Sequence, residues 1–211
     1  YASLMDKRPP TYSSTQQADG AAQGAVQDAA QSAPSTRSQA AFQVRYTQCF
    51  ATWCAYFGEH PRLLTLLVGT NKAITWLFYG AYGLLLVFML LADPRTLIGL
   101  VLVPGAGFVL VSWARARYNA PRPATACHIT PLVAREGEGK SFPSRHMFSA
   151  ATIATLWFVA STPIAVLLWI CALALGACRV LGGVHFVRDV VAGAACGLTC
   201  GLISCAVCAL L

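Results

Sequence analysis

Long uncharged segments alternate with short charged ones over the last two thirds of the chain. The uncharged segments are 73–92, 97–114, 147–178 and 190–211. A helix of about 20 apolar residues, rising 1.5 Å per residue, crosses the hydrocarbon layer of a bilayer. The third segment is too long for one crossing, and Pro163 divides it into a hairpin of two shorter helices. The pattern therefore predicts about five transmembrane helices.

The sequence before residue 73 has a different character. Residues 1–41 are rich in Ser, Gln, Ala and Gly with almost no aliphatic bulk, which is typical of a flexible tail. Residues 42–72 mix apolar and charged positions, and Trp53 and Tyr56 favour an amphipathic helix at the headgroups over a further crossing. Residues 73–211 then form the membrane core. The predicted fold class is all-α, a polytopic membrane helix bundle with an N-terminal amphipathic helix.

Composition supports a membrane protein. The chain is 56% hydrophobic and only 11% charged, whereas roughly a quarter of the residues of an ordinary soluble domain are charged. This shortage of charge excludes a disordered chain and argues against a soluble enzyme or a nucleic-acid-binding protein. We therefore expect an integral membrane protein with the lipid bilayer as its partner and no nucleic acid.

Three glycines recur at a spacing of four in the last uncharged segment: Gly193, Gly197 and Gly201. Such a ladder lets two helices approach closely in lipid. We expect the partner helix to lie in the same chain, and the alternative is a contact between the subunits of an oligomer.

The charged residues beyond position 97 fall in two blocks, 115–145 and 179–189. If five helices cross in alternate directions, the ends near Arg115, His146, Arg179 and Asp189 all lie on one membrane face. Both charged blocks then converge, which predicts a site and not scattered loops.

His185 and Asp189 form the first chemical element of this site. They are four residues apart at a helix start and therefore share one helix face. A carboxylate there can hold one imidazole nitrogen as N–H and leave the other nitrogen free to attack. Gly182 and Gly183 permit a sharp turn that brings Arg179 close to His185.

The second element is Pro143-Ser144 before a helical segment. A helix start offers backbone N–H groups and, here, a serine hydroxyl for phosphate oxygens. His146 follows in the first turn, where it can protonate a leaving group.

Arginines provide the third element. Arg115, Arg122 and Arg179 carry planar, permanently charged forks that suit a phosphoryl group. An arginine alone at a membrane end is usually an interfacial anchor. Two histidines, an aspartate and three arginines on one face of an otherwise uncharged bundle favour a functional site.

These segments resemble the signature of the type 2 phosphatidic acid phosphatase superfamily. The family pattern is Lys-x6-Arg-Pro, then Pro-Ser-Gly-His, then Ser-Arg-x5-His-x3-Asp. The corresponding residues here run from Arg115 to Asp189, with the same spacing within each motif.

The resemblance implies a role for each matched residue. His185 would be the nucleophile that forms a phosphohistidine, Asp189 would orient it, and His146 would be the general acid. The phosphate would be bound by Arg115, Arg122, Ser144, Arg179 and the backbone N–H of Arg145. No metal or other cofactor is implied.

Three positions depart from the family pattern. Arg115 replaces lysine, which changes a point charge into a fork. Arg145 replaces glycine, which adds a cation beside the phosphate and requires a backbone conformation open to other residues. Cys178 replaces the serine before Arg179.

The expected function is hydrolysis of a lipid phosphate monoester or diphosphate, with phosphatidic acid, phosphatidylglycerophosphate and polyprenyl phosphate or diphosphate as candidate substrates. A lipid phosphotransferase with the same motifs and a non-catalytic receptor for anionic lipids are the alternatives. A vanadium-dependent haloperoxidase shares the motifs, but those relatives are soluble.

The expected location is a bacterial cell membrane. The basic residues on the site's face favour a cytoplasmic orientation, whereas the family's bacterial lipid phosphatases more often face outward. The side of the membrane therefore stays open.

Overall fold

A computed structural model describes residues 34–133 and 139–211 of the chain. Most of the predicted tail, residues 1–33, lies outside the described residues. The described part is helical and contains no strand. Its helices are α1 (Pro34–Glu59), α2 (Pro61–Ala92), α3 (Leu97–Tyr118), α4 (Pro123–Ala126), α5 (Arg145–Leu156), α6 (Thr162–Leu181) and α7 (Val187–Leu210), and two 3-10 turns span Pro94–Thr96 and Trp157–Val159.

The chain divides into two compact units, Tyr1–Pro61 and Arg62–Leu211. Helix α1 belongs to the first unit. Residues 34–41, which composition assigns to the tail, form its first two turns. Helix α1 ends at Glu59, and the next helix begins at Pro61, since a proline is tolerated in the first turn of a helix but not inside one.

Four segments of the described chain are long and apolar enough to cross a membrane: Pro61–Ala92, Pro94–Ala126, Thr162–Leu181 and Val187–Leu210. Helix α2 runs without interruption through the boundary predicted between residues 72 and 73. Residues 61–72 therefore belong to this candidate span, whereas α1 does not meet the criteria for one. The polytopic all-α bundle is confirmed.

The count of spans differs from the prediction in one element. The uncharged segment before Ser161 forms only the 12-residue α5 and a 3-10 turn. Almost every α5 residue from Met147 to Leu156 is buried within the protein, with Ala151 and Ala154 fully enclosed. This stretch is apolar because it packs against other helices, so the absence of charge there does not indicate a full-length crossing.

The core of the second unit surrounds α5. Leu85 from α2, Leu100 from α3 and Leu156 from α5 are completely buried in one cluster. Hydrogen bonds join the helices as well: the Trp157 indole donates to the carbonyl of Ala81 at 3.1 Å, and the Ser204 hydroxyl donates to that of Gly99 at 2.6 Å. Such bonds between helices supplement van der Waals packing where lipid surrounds the bundle.

The glycine ladder of α7 packs against α5 of the same chain. A Cβ atom on Gly197 would lie 2.3 Å from the carbonyl oxygen of Phe148, and one on Gly201 would lie 2.6 Å from Cβ of Thr155. No side chain larger than hydrogen fits at either position. The contact predicted within the chain is confirmed, and the oligomeric state stays a prediction.

Candidate active site

The three charged segments meet at one end of the second unit. Arg115, in the last turn of α3, donates from Nη1 to the carbonyls of Ser141, at 3.0 Å, and Pro143. The N–H of Ser144 donates to the carbonyl of Asp189 at 2.9 Å, which ties the start of α5 to the start of α7. The convergence predicted from alternating crossings is therefore present.

Two hydrogen bonds to the residues that follow α3 hold the segment before α5 in place. The N–H of Ser141 donates to the carbonyl of Ala120 at 2.9 Å, and Nε of Arg122 donates to the carbonyl of Gly139 at 2.8 Å. Gly139 has a positive φ of 71°, and a Cβ atom there would lie 2.6 Å from the Asn119 side chain. Both the conformation and the close approach require glycine.

Asp189 lies at the centre of the site and is completely buried. Its Oδ2 accepts a hydrogen bond of 2.5 Å from the Ser141 hydroxyl and one of 3.2 Å from the N–H of Phe186. Nδ1 of His185 lies 3.6 Å from the same oxygen, which is longer than an ordinary hydrogen bond. The two residues are adjacent, with a serine in contact with both, but the predicted shared helix face is wrong: α7 begins at Val187, and the extended N-cap residue Phe186 leaves His185 in the turn before the helix.

Sequence reasoning did not identify Ser141. It is fully buried, and its hydroxyl oxygen lies 3.3 Å from Nδ1 of His185. The only signal in the sequence is its place two residues before Pro143, outside the matched motif. Nothing in the spacing of the motifs links this position to His185 or Asp189.

The turn between α6 and α7 brings Arg179 beside His185. Gly183 adopts a positive φ of 70°, and the N–H groups of Val184 and His185 both donate to the carbonyl of Arg179, at 3.1 and 3.3 Å. Gly182 has ordinary helical dihedrals, but a Cβ atom there would lie 2.6 Å from the side chain of Val133. The predicted turn is confirmed, and its two glycines serve different purposes.

Ser144 precedes α5 as its N-cap residue but does not cap it with its side chain. An N-cap serine usually accepts a hydrogen bond from the first turn. Here the hydroxyl is buried and has no hydrogen-bond partner among the described residues. A buried hydroxyl beside the N–H groups of a helix start suits a phosphate oxygen.

The predicted phosphate-binding arginines differ in exposure. Arg115, Arg122 and Arg179 are 3%, 7% and 6% exposed, which is far more burial than an interfacial anchor needs. Together with Ser144, His185 and Asp189 they form a buried cluster. Arg145 and His146 are only half-buried, and both line a pocket of about 200 Å³ beside this buried cluster. Arg145 is the first residue of α5 and has no positive φ, so that a residue other than glycine fits there.

A cysteine nucleophile and a metal centre are the chemical alternatives to this histidine site. Cys127, which follows α4, is buried, and burial raises the pKa of its thiol. A protonated thiol is a weak nucleophile, which leaves histidine as the stronger candidate. Among residues 34–133 and 139–211, no three His, Cys, Asp or Glu residues are grouped as a metal site would need.

The chain is similar to known proteins in sequence and in fold. The profile of the PAP2 superfamily matches residues 96–209. The crystal structure of Aquifex aeolicus LpxE is similar, with a TM-score of 0.56 and 29% identity over 69% of this chain and 93% of that one. A second similar structure is a transmembrane PAP2-type phosphatidylglycerolphosphate phosphatase from Bacillus subtilis, with a TM-score of 0.46 and 21% identity over 80% and 96% of the two chains. No curated protein matches the chain.

Proposed function

Because the chain belongs to the PAP2 superfamily, we propose that it is an integral membrane phosphatase that hydrolyses a lipid phosphate monoester or diphosphate. The reaction proceeds through a phosphohistidine on His185. The substrate is phosphatidic acid, phosphatidylglycerophosphate or a polyprenyl phosphate or diphosphate, and the enzyme resides in a bacterial cell membrane.

One observation carries the proposal: the chain of contacts from Asp189 through Ser141 to His185. The Ser141 hydroxyl has a single proton, and the 2.5 Å bond to Asp189 uses it. Toward His185, 3.3 Å away, the same oxygen can only accept. This arrangement favours the tautomer with the proton on Nδ1, which leaves the lone pair of Nε2 for attack on phosphorus.

The arginines and Ser144 bind the phosphoryl group. Their cationic forks, together with the Ser144 hydroxyl and the N–H of Arg145, oppose the charge that redistributes over the phosphoryl oxygens in the transition state. Burial strengthens these interactions, since water competes less in an enclosed site.

His146 acts as the general acid. It follows Ser144 by two residues and lines the pocket beside the buried cluster, on the side where a lipid leaving group has room. In the first step it gives a proton to the leaving oxygen, and in the second it assists the water that cleaves the P–N bond.

Phosphate release from lipid phosphates in detergent micelles, with a chelator present, tests the proposal. His185→Ala should lower the rate by about 1000-fold or more, as expected for loss of a nucleophile. The exposed His60→Ala is the matched control and should keep the wild-type rate. Trapping of labelled phosphate on wild type quenched in alkaline detergent, where the P–N bond is stable, but not on His185→Ala, would identify the phosphohistidine.

Two results would contradict the proposal. Phosphate transfer to diacylglycerol without release to water would indicate a phosphotransferase. Unchanged lipid binding with no turnover, in folded protein, would indicate a receptor for anionic lipids.

A further inference from the structure

The pocket beside the buried cluster is lined by both cationic and apolar residues, as a site for an amphiphilic ligand would be. Arg145 and His146 line it at the start of α5, and most of the other lining residues are apolar or aromatic, Ile153 and Leu175 among them. The eight steps from Arg145 to Ile153 extend about 12 Å along α5. The pocket therefore has a cationic end next to the site and an apolar end deeper in the bundle, which matches a phosphorylated headgroup and the first part of a lipid chain.

Arg145 is the cation of this pocket. Its guanidinium carbon lies 5.8 Å from the ring centroid of Phe108, another residue of the lining. Within the described part of the chain, neither of the two ion pairs involves Arg145, because both are made by Asp189. A half-buried guanidinium held over an aromatic ring is thus available to an anionic ligand.

The position of Arg145 is on the leaving-group side of the site. It lines the pocket together with His146, whereas His185, Asp189, Ser144 and the other three arginines of the site do not. The side chain of Arg145 therefore faces the pocket that also holds the proposed general acid His146, whereas buried residues outside that lining bind the phosphate to be removed. An anion that it binds belongs to the part of the substrate that departs.

We propose that Arg145 binds a second phosphate on the leaving-group side of the phosphate that is removed, and that the enzyme thereby prefers lipids with two phosphates over lipid monophosphates. This inference rests on the proposed function and narrows its substrate class. A lipid diphosphate and a lipid whose leaving group carries a phosphodiester both present such a second phosphate.

The reaction balances with water as the only co-reactant. Nε2 of His185 forms a bond to the terminal phosphorus while the bond from that phosphorus to the bridging oxygen breaks. The electron pair stays on the bridging oxygen, His146 gives it a proton, and the lipid monophosphate departs against Arg145. Water then cleaves the P–N bond, releasing inorganic phosphate and restoring both histidines.

The test compares kcat/KM for farnesyl diphosphate with that for farnesyl monophosphate, which differ only in the second phosphate. A diphosphate also has the better leaving group, so the informative quantity is how the ratio changes between wild type and variants. Arg145→Gly restores the family's glycine and should lower the ratio at least about tenfold, the size expected for a lost charge-assisted hydrogen bond. Arg145→Lys should recover most of it. Arg117→Gln, at an exposed position of α3, should leave it within about twofold.

Phosphatidylglycerophosphate against phosphatidic acid forms a second pair of substrates. A fall in either ratio on Arg145→Gly supports the inference and identifies which lipid presents the second phosphate. An unchanged ratio in both pairs, in variants with wild-type thermal unfolding, overturns it while phosphatase activity remains. If wild type releases phosphate from none of the four lipids, the proposed function itself fails.

Discussion

The interface between α5 and α7 has a polar half and an apolar half, and different forces hold them. In the polar half, the N–H of Ser144 and the hydroxyl of Ser141 both donate to Asp189. In the apolar half, Gly197 and Gly201 press against Phe148 and Thr155 with no space for a methyl group. Hydrogen bonds thus hold one half of this interface, and close van der Waals packing holds the other.

Both halves use the same face of α7, because Asp189, Gly193, Gly197 and Gly201 follow one another at intervals of four. A Cβ atom on Gly193 would lie 2.5 Å from the carbonyl oxygen of Ser144. The glycines therefore set the distance between the helices, and that distance brings Ser144 and Asp189 within hydrogen-bond range. Residues without side chains here position residues that carry chemistry.

The largest effect should come from the polar half. Asp189→Asn keeps the shape of the side chain but replaces an oxygen that accepts from Ser141 with an amide, which disturbs the tautomer of His185. We expect kcat to fall by about 1000-fold or more, with a melting temperature close to wild type. A large drop in melting temperature would show instead that Asp189 mainly stabilises the fold.

In the apolar half, a substitution should lower the stability of the protein. Gly197→Ala forces a methyl group against the Phe148 carbonyl and should lower the free energy of unfolding by about 3 kcal/mol. Thermal unfolding in detergent measures this. The control is Gly80→Ala in α2, where nothing lies within 4 Å of an added Cβ, and the change there should stay within about 1 kcal/mol. Equal effects at the two glycines would refute the close contact.

Ser141→Ala distinguishes a role in orienting His185 from a role in binding the substrate. Loss of the hydroxyl removes the contact with Nδ1 of His185 and should lower kcat by about 10- to 100-fold, while KM changes little. Ser141→Thr retains the hydroxyl and should recover part of the rate. A rise in KM with kcat unchanged would place Ser141 in substrate binding.

The smallest effect is expected at the far end of the ladder. In Gly201→Ala the new Cβ would lie 2.6 Å from Cβ of Thr155 and 3.2 Å from the Thr152 carbonyl oxygen. This overlap is milder than the 2.3 Å approach of Gly197 to the Phe148 carbonyl oxygen. The expected loss is about 1 kcal/mol, and phosphatase activity should remain near wild type. A loss as large as that of Gly197→Ala would mean that the interface is equally rigid along its length.

Candidate site residues could be predicted from the sequence where they belong to one short motif with a fixed spacing between its residues. The closeness of His185 to Asp189 and the turn at Gly182 and Gly183 are local features, and both are present, although His185 lies in the turn before α7 and not on the helix. Ser141 could not be found in this way, because its partners are 44 and 48 residues distant and the contact depends on how α3, α5 and α7 pack.

The same limit explains the number of spans. Lipid and a protein interior both select apolar side chains, so that the uncharged segment of α5 looked like a crossing. Pro61 and nearby charges such as Arg62 favour an interfacial helix over the start of α2, although a helix can begin with proline and carry a charge near its end. Hydrophobic patterning shows that a segment avoids water, and only packing shows what surrounds it.

Asp189 contacts the segment that leads into α5 in two ways, through its side chain and through its main chain. Its carboxylate reaches Ser141, and its main-chain carbonyl accepts from the N–H of Ser144. Scanning mutagenesis can erase the first connection but leaves the second untouched, because every amino acid at position 189 retains that carbonyl. Inactive variants at position 189 would still hold the phosphate-binding start of α5 against the start of α7. They would therefore serve as substrate traps, able to retain a lipid that they no longer turn over.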